Sequence, residues 1–131
     1  MNSLSPETFL IFVLAGGVVL FVISFWFAWR VFQRVVDHEH AFHHESWQKD
    51  GKPIGSKRAR RERSFWSIAN PEHGLFYAWY RETPEWAAGD LVAIALIRSF
   101  RRYAFAGLAA LVTTIVVFIL ALVLYSVHSG Q

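Results

Sequence analysis

Two long apolar stretches bracket a mixed middle segment. Between Glu7 and Arg30 lie the residues Thr8 to Trp29, without one formal charge. At about 1.5 Å per residue a helix over them reaches about 33 Å, enough for a hydrocarbon layer of about 30 Å. After Arg102 no Asp, Glu, Lys or Arg follows, and Tyr103 to Val127 reads as a second span, with Thr113 and Thr114 able to bond back to their own helix. The middle changes character. Val31, Val35, His38 and Phe42 recur at helical spacing, and no Gly or Pro interrupts Arg30 to Trp47, so the first helix is predicted to run on past its apolar part. Gln48 to Ser56 holds two glycines and a proline and reads as a loop.

Two helix starts come next, Asn70-Pro71-Glu72 and Thr83-Pro84-Glu85. Each sets a capping side chain before a proline and then an acid in the first turn. The first predicts a short helix through Leu75, Phe76, Trp79 and Tyr80. The second predicts a longer helix from Pro84 to Arg101-Arg102, bent at Gly89 and open to continuation into the second span. The expected fold is an all-α membrane protein, two transmembrane helices joined by a cytoplasmic helical hairpin loop. Its divisions are a tail over 1–7, a span over 8–29, the loop over 30–102, a span over 103–127 and a tail over 128–131.

Composition strengthens the membrane reading. Hydrophobic residues make up 54% of the 131 and aromatic residues 17%, above the usual share for a soluble domain. No cysteine is present, which excludes disulfides, thiolate metal sites, iron–sulfur clusters and a cysteine nucleophile. The charge pattern then supplies an orientation. All 13 basic residues fall between Arg30 and Arg102. Positive charge beside span ends holds a segment in the cytoplasm, so the loop is expected inside and both termini outside, in a bacterial inner membrane. Nothing basic precedes the first span and no small-x-small cleavage pattern follows it, so it reads as a retained anchor.

The candidate chemistry is sparse. Asp37-His38-Glu39-His40-Ala41-Phe42-His43-His44-Glu45 is the most unusual run. On a helix Asp37, His40 and His44 share a stripe with His43 beside it, a set that suits a divalent transition metal, with His73 as a further ligand. The four histidines of the run, His38, His40, His43 and His44, would gain charge as pH falls and tighten contact with anionic lipid. A cofactor is otherwise not expected: neither span offers a His or Met to haem, and neither carries the ionisable residues of a transport pathway. Arg30, Arg34, Lys57, Arg58, Arg60, Arg61, Arg63, Arg98, Arg101 and Arg102 are assigned to topology and to anionic lipid headgroups. Nucleic acid is not an expected partner, since no recognisable binding fold accompanies the basic run.

The run Leu91-Val-Ala-Ile-Ala-Leu-Ile97 is apolar on nearly every side and too short to span. It must bury itself against the membrane surface, the rest of the loop or another protein. Leu75, Phe76, Trp79, Tyr80, Leu91, Ile94 and Ile97 are therefore the expected partner contacts. Ala106 and Ala110 with Gly107, and Gly16-Gly17, are small-residue patches that let helices approach closely, either the two spans or a second copy. Ser/His/Asp order, phosphate loop and HExxH pattern are all missing, so no enzyme is expected.

Gly51-Lys52-Pro53, the basic residues leading to Phe65-Trp66, and Ile97-Arg98 with Arg101-Arg102 before the second span resemble the universal stress protein B family. That resemblance covers about the last two-thirds of the chain. It implies a small two-span bacterial membrane protein with a stress or stationary-phase role and carries no catalytic residues. The expected function is a non-enzymatic accessory, assembly or scaffolding protein of a larger membrane complex. The alternatives are a histidine-cluster metal-binding membrane protein and a self-assembling membrane-stress protein.

Overall fold

The computed structural model describes residues 6–53, 55 and 71–129. Among these residues the chain is all-helical, with no strand. The elements are α1 (Pro6–Phe42), α2 (His44–Lys49), α3 (Pro71–Arg81), a 3-10 turn (Glu85–Ala87) and α4 (Leu91–Ser129). Both α1 and α4 are long and apolar enough to cross a membrane. The chain divides into two compact units, Met1–Phe25 with Phe105–Gln131, and Trp26–Ala104. The basic run with Lys57, Arg58, Arg60, Arg61 and Arg63, and the cap at Asn70, lie outside the described residues.

In the first unit, α1 and α4 meet through small side chains. A Cβ at Gly17 would collide with the Thr114 hydroxyl, and one at Gly107 would press the Ser24 Cβ at 3.3 Å. Thr114 donates its hydroxyl to the Ala110 carbonyl at 2.7 Å, so its oxygen is satisfied inside the contact. Of the small-residue patches, Gly17 and Gly107 therefore join the two helices of one chain, while Gly16 faces open space. The outward faces keep their large apolar side chains exposed, Phe12, Leu20, Ile119 and Leu124 among them.

The second unit builds its own core. Phe32 sits at its centre, with ring centroids 5.3 Å from both Phe76 and Trp79 and 5.8 Å from Phe100. Trp29 stacks on Phe32 at 5.5 Å, and Phe76 meets Phe100 edge-on at 4.7 Å. Such offset and edge contacts add to the area that each ring removes from water. Val35, Val36, Ala28, Ala93 and Ile97 fill the remaining space. Arg101 donates from Nε to the Trp79 carbonyl at 2.9 Å and from Nη2 to Thr83 Oγ1 at 3.1 Å. It thereby satisfies a carbonyl in the last turn of α3, where a cation is favoured.

Two expected elements are corrected. The helix expected to run unbroken from Arg30 to Trp47 breaks at His43, with φ −130° and ψ 51°, and resumes as α2. The hydrogen bonds from His43 N to Glu39 O and from Trp47 N to His43 O carry the ladder across, so the break costs little pairing. The helix expected from Pro84 is only a 3-10 turn. Gly89, at φ +89°, turns the chain out of it, and α4 starts afresh at Leu91 under the Asp90 cap. The continuation past Arg101-Arg102 that the sequence left open is present, and α4 runs through both arginines without interruption.

Beyond α2 the chain turns in a Schellman arrangement. Lys52 N donates to Trp47 O at 3.0 Å and Gly51 N to Gln48 O at 3.3 Å, with Gly51 at φ 84°. This turn brings Pro53 to Trp47, whose Nε1 donates to the Pro53 carbonyl at 3.0 Å.

Candidate functional site

Asp90 is the hub of the most concentrated polar geometry in the second unit. Its Oδ1 accepts the backbone N–H groups of Val92 and Ala93, each at 3.0 Å, and so caps α4. That leaves Oδ2 free to point elsewhere. Two imidazoles converge on it, His38 Nε2 at 2.7 Å and His43 Nε2 at 2.9 Å. The Ala93 N–H first, then His43 and His38, hold the Asp90 carboxyl well below the usual carboxylate range. It is therefore an anion throughout the ordinary pH range.

The break at His43 makes this convergence possible. On an unbroken helix two residues five apart point about 140° away from each other, given about 3.6 residues per turn. His38 and His43 are five apart in sequence, yet both reach one oxygen. Aromatic rings wall the cluster: Phe42 lies 4.7 Å from the His38 ring and Trp86 lies 5.0 Å from that of His43. The three side chains stay in touch with water, with exposures of 14%, 28% and 20% for His38, His43 and Asp90. Their ligand atoms all lie within 4.8 Å of one another, and they form the one such group of metal-capable side chains among the described residues.

Of the expected metal set Asp37, His40, His43 and His44, only His43 joins this cluster. His40 and His44 instead lie against Trp47, at 4.5 and 5.2 Å between ring centroids, and Asp37 lies beside Gly55. His73 lies 6.4 Å from the Trp29 ring. His38 stands outside the metal set expected from sequence, and Asp90 reads there as a helix-start charge or a partner of nearby arginines. The Gly89-Asp90 pair before an apolar run signalled the cap, but nothing local signalled its partners 52 and 47 residues earlier.

Beside the cluster Glu39 is fully buried, and neither carboxyl oxygen finds a hydrogen-bond partner. Loss of hydration, with the Asp50 charge adding to it, pushes its carboxyl up to about 9. Glu39 is thus a neutral acid at pH 7. A cleft of about 640 Å³ elsewhere in the unit mixes Lys49 and Arg81 with Asp50, Glu82 and Glu85, and so favours neither sign of ligand.

The expected partner contacts fare unevenly. Trp79 and Ile97 are core residues and are removed from any outer surface. Leu75, Phe76, Tyr80 and Ile94 are half-buried, the first three packed against that core. The apolar run thus meets the loop's own interior through Ala93 and Ile97, one of the fates expected for it. Leu91 alone of the seven is open, at 81% exposure. No protein family, curated protein or solved structure matches this chain.

Proposed function

We propose that this chain is a two-span membrane protein serving as a non-enzymatic accessory, assembly or scaffolding part of a larger membrane complex. Its spans are 8–29 and 103–127, its ends face outward, and residues 30–102 form a folded cytoplasmic unit in a bacterial inner membrane. Lipid is the solvent that suits α1 and α4. Only 6% and 11% of their most apolar windows are buried within the chain, so water would otherwise wet tens of large apolar side chains. The placement of all 13 basic residues between the spans supports the orientation.

One observation carries the accessory role. The loop unit is already packed around Phe32, yet it leaves Leu91 and Phe42 uncovered, at 81% and 72% exposure. Both flank the His38–Asp90 contact, Leu91 next to Asp90 in sequence and Phe42 against the His38 ring. Exposed apolar side chains of this size beside an ordered polar cluster are what an interaction face presents. Affinity capture of tagged protein from gently solubilised membranes is expected to bring larger integral subunits at fixed stoichiometry. Leu91→Glu is expected to release them while the chain stays inserted. Recovery of the chain alone or as a homo-oligomer contradicts the reading, as does retention of every subunit by the variant.

A further inference from the structure

We propose that His38 Nε2, His43 Nε2 and Asp90 Oδ2 form a binding site for one divalent transition-metal ion of zinc type, with a fourth position left to water. This goes beyond the accessory role and does not depend on it. Two neutral imidazoles and one carboxylate are a donor set of borderline softness. Such a set suits zinc, nickel or copper and is poor for magnesium or calcium, which prefer all-oxygen shells.

The geometry needs little change to accept the ion. Bonds of about 2.0–2.1 Å in a tetrahedral shell put neighbouring ligand atoms about 3.3 Å apart. The two nitrogen–oxygen distances of 2.7 and 2.9 Å would open by about half an ångström, within reach of small side-chain rotations. The hydrogen-bonded trio is then the metal-free form, in which ring protons occupy the place of the ion. On loading, each neutral ring carries its one proton on Nδ1 and turns the Nε2 lone pair to the metal; a doubly protonated ring has no lone pair to give, so binding weakens in acid.

Two features distinguish this trio from an ordinary helix cap. A cap needs only Oδ1, which Val92 N and Ala93 N already occupy, and leaves no structural demand on Oδ2. The helix is also interrupted at His43 with neither Gly nor Pro to cause it, and the interruption is what turns His43 toward the oxygen that His38 already meets. The two bonds to Oδ1 fix the carboxylate plane, as supporting contacts do around metal ligands. Partial exposure supplies an entry path and room for water. The loaded site would clamp the end of α1 and the break before α2 to the first turn of α4.

The test uses the full chain in mild detergent, stripped with chelator, then loaded with zinc and, separately, with cobalt as an absorbing substitute. Wild type is expected to retain one zinc per chain after desalting and to give the strong visible bands of tetrahedral cobalt. Asp90→Asn keeps a good cap, since Asn ranks with Asp there, but loses the anionic ligand. It is expected to bind at least about tenfold more weakly with helix content unchanged, as is His43→Gln. The double variant His40→Gln with His44→Gln is expected to bind as wild type does. The proposal is overturned if wild type retains no zinc, if Asp90→Asn binds as tightly as wild type, or if the His40/His44 pair proves to be required.

Discussion

Glu39 is the residue whose cost is easiest to measure. An unfolded chain returns its carboxyl to the ordinary value of 4.5, while burial in the native unit pushes it up to about 9. Between these values the folded state holds a proton that the unfolded state has released. This group's contribution to stability is therefore complete below about pH 4.5, declines as pH rises and is lost once pH passes about 9, at most about 1.4 kcal/mol per pH unit. Thermal or denaturant unfolding of the chelated protein in detergent, from pH 5 to 9, is expected to show this decline, and Glu39→Gln to remove it. An unaltered profile in the variant would mean that the carboxyl titrates normally. Phe32 marks the opposite case, a side chain whose contacts are all favourable. Phe32→Ala is expected to destabilise the second unit by about 3–5 kcal/mol, seen as a lowered midpoint with the near-ultraviolet signal of its aromatic neighbours weakened. Residue types were legible here and pairings were not. Asp90 reads from sequence as a helix-start charge, and it is one, but the imidazoles that meet its other oxygen lie 52 and 47 residues away. No periodicity carries such a distance.

At the scale of elements, periodicity located the two long helices and the short α3, because apolar length and the Pro71 start are local signals. It failed beyond Pro84. Thr83-Pro84-Glu85 reads as a helix start with Gly89 only a bend beyond it, yet the helix begins at Leu91, which brings Ala93 and Ile97 into one core with Phe32 and Phe100. It failed again at His43, where no breaker residue stands and the bend is settled by tertiary contact. The pairing of α1 with α4 in the first unit yields its own prediction. Gly17→Ala forces a Cβ onto the Thr114 side chain and is expected to cost about 1–3 kcal/mol of thermal stability in detergent. Adding Thr114→Gly is expected to recover part of that loss, so that the double variant is more stable than the two single effects summed. Strict additivity would show that the two positions do not meet.

For the whole molecule, labour is divided along the chain. Residues with no formal charge fill 8–29 and 103–127, and every Lys and Arg lies between them. Among the described residues the loop packs Phe32, Phe76, Trp79 and Phe100 into a core of its own and leaves Leu91 and Phe42 exposed, with the His38–His43–Asp90 trio half-buried. Whether that unit sits in the cytoplasm decides which partners and which metal pool it can meet. The chain lacks cysteine, so each introduced one is a unique label. The most direct measurement is labelling with a membrane-impermeant maleimide of single-cysteine variants in intact and permeabilised cells. Gln48→Cys and Glu82→Cys mark exposed loop positions, and Ser3→Cys and Ser129→Cys mark the two ends. Both ends are expected to react in cells with an intact inner membrane, and both loop positions only after it is opened. Loop labelling from outside, or one response shared by all four positions, would contradict that orientation.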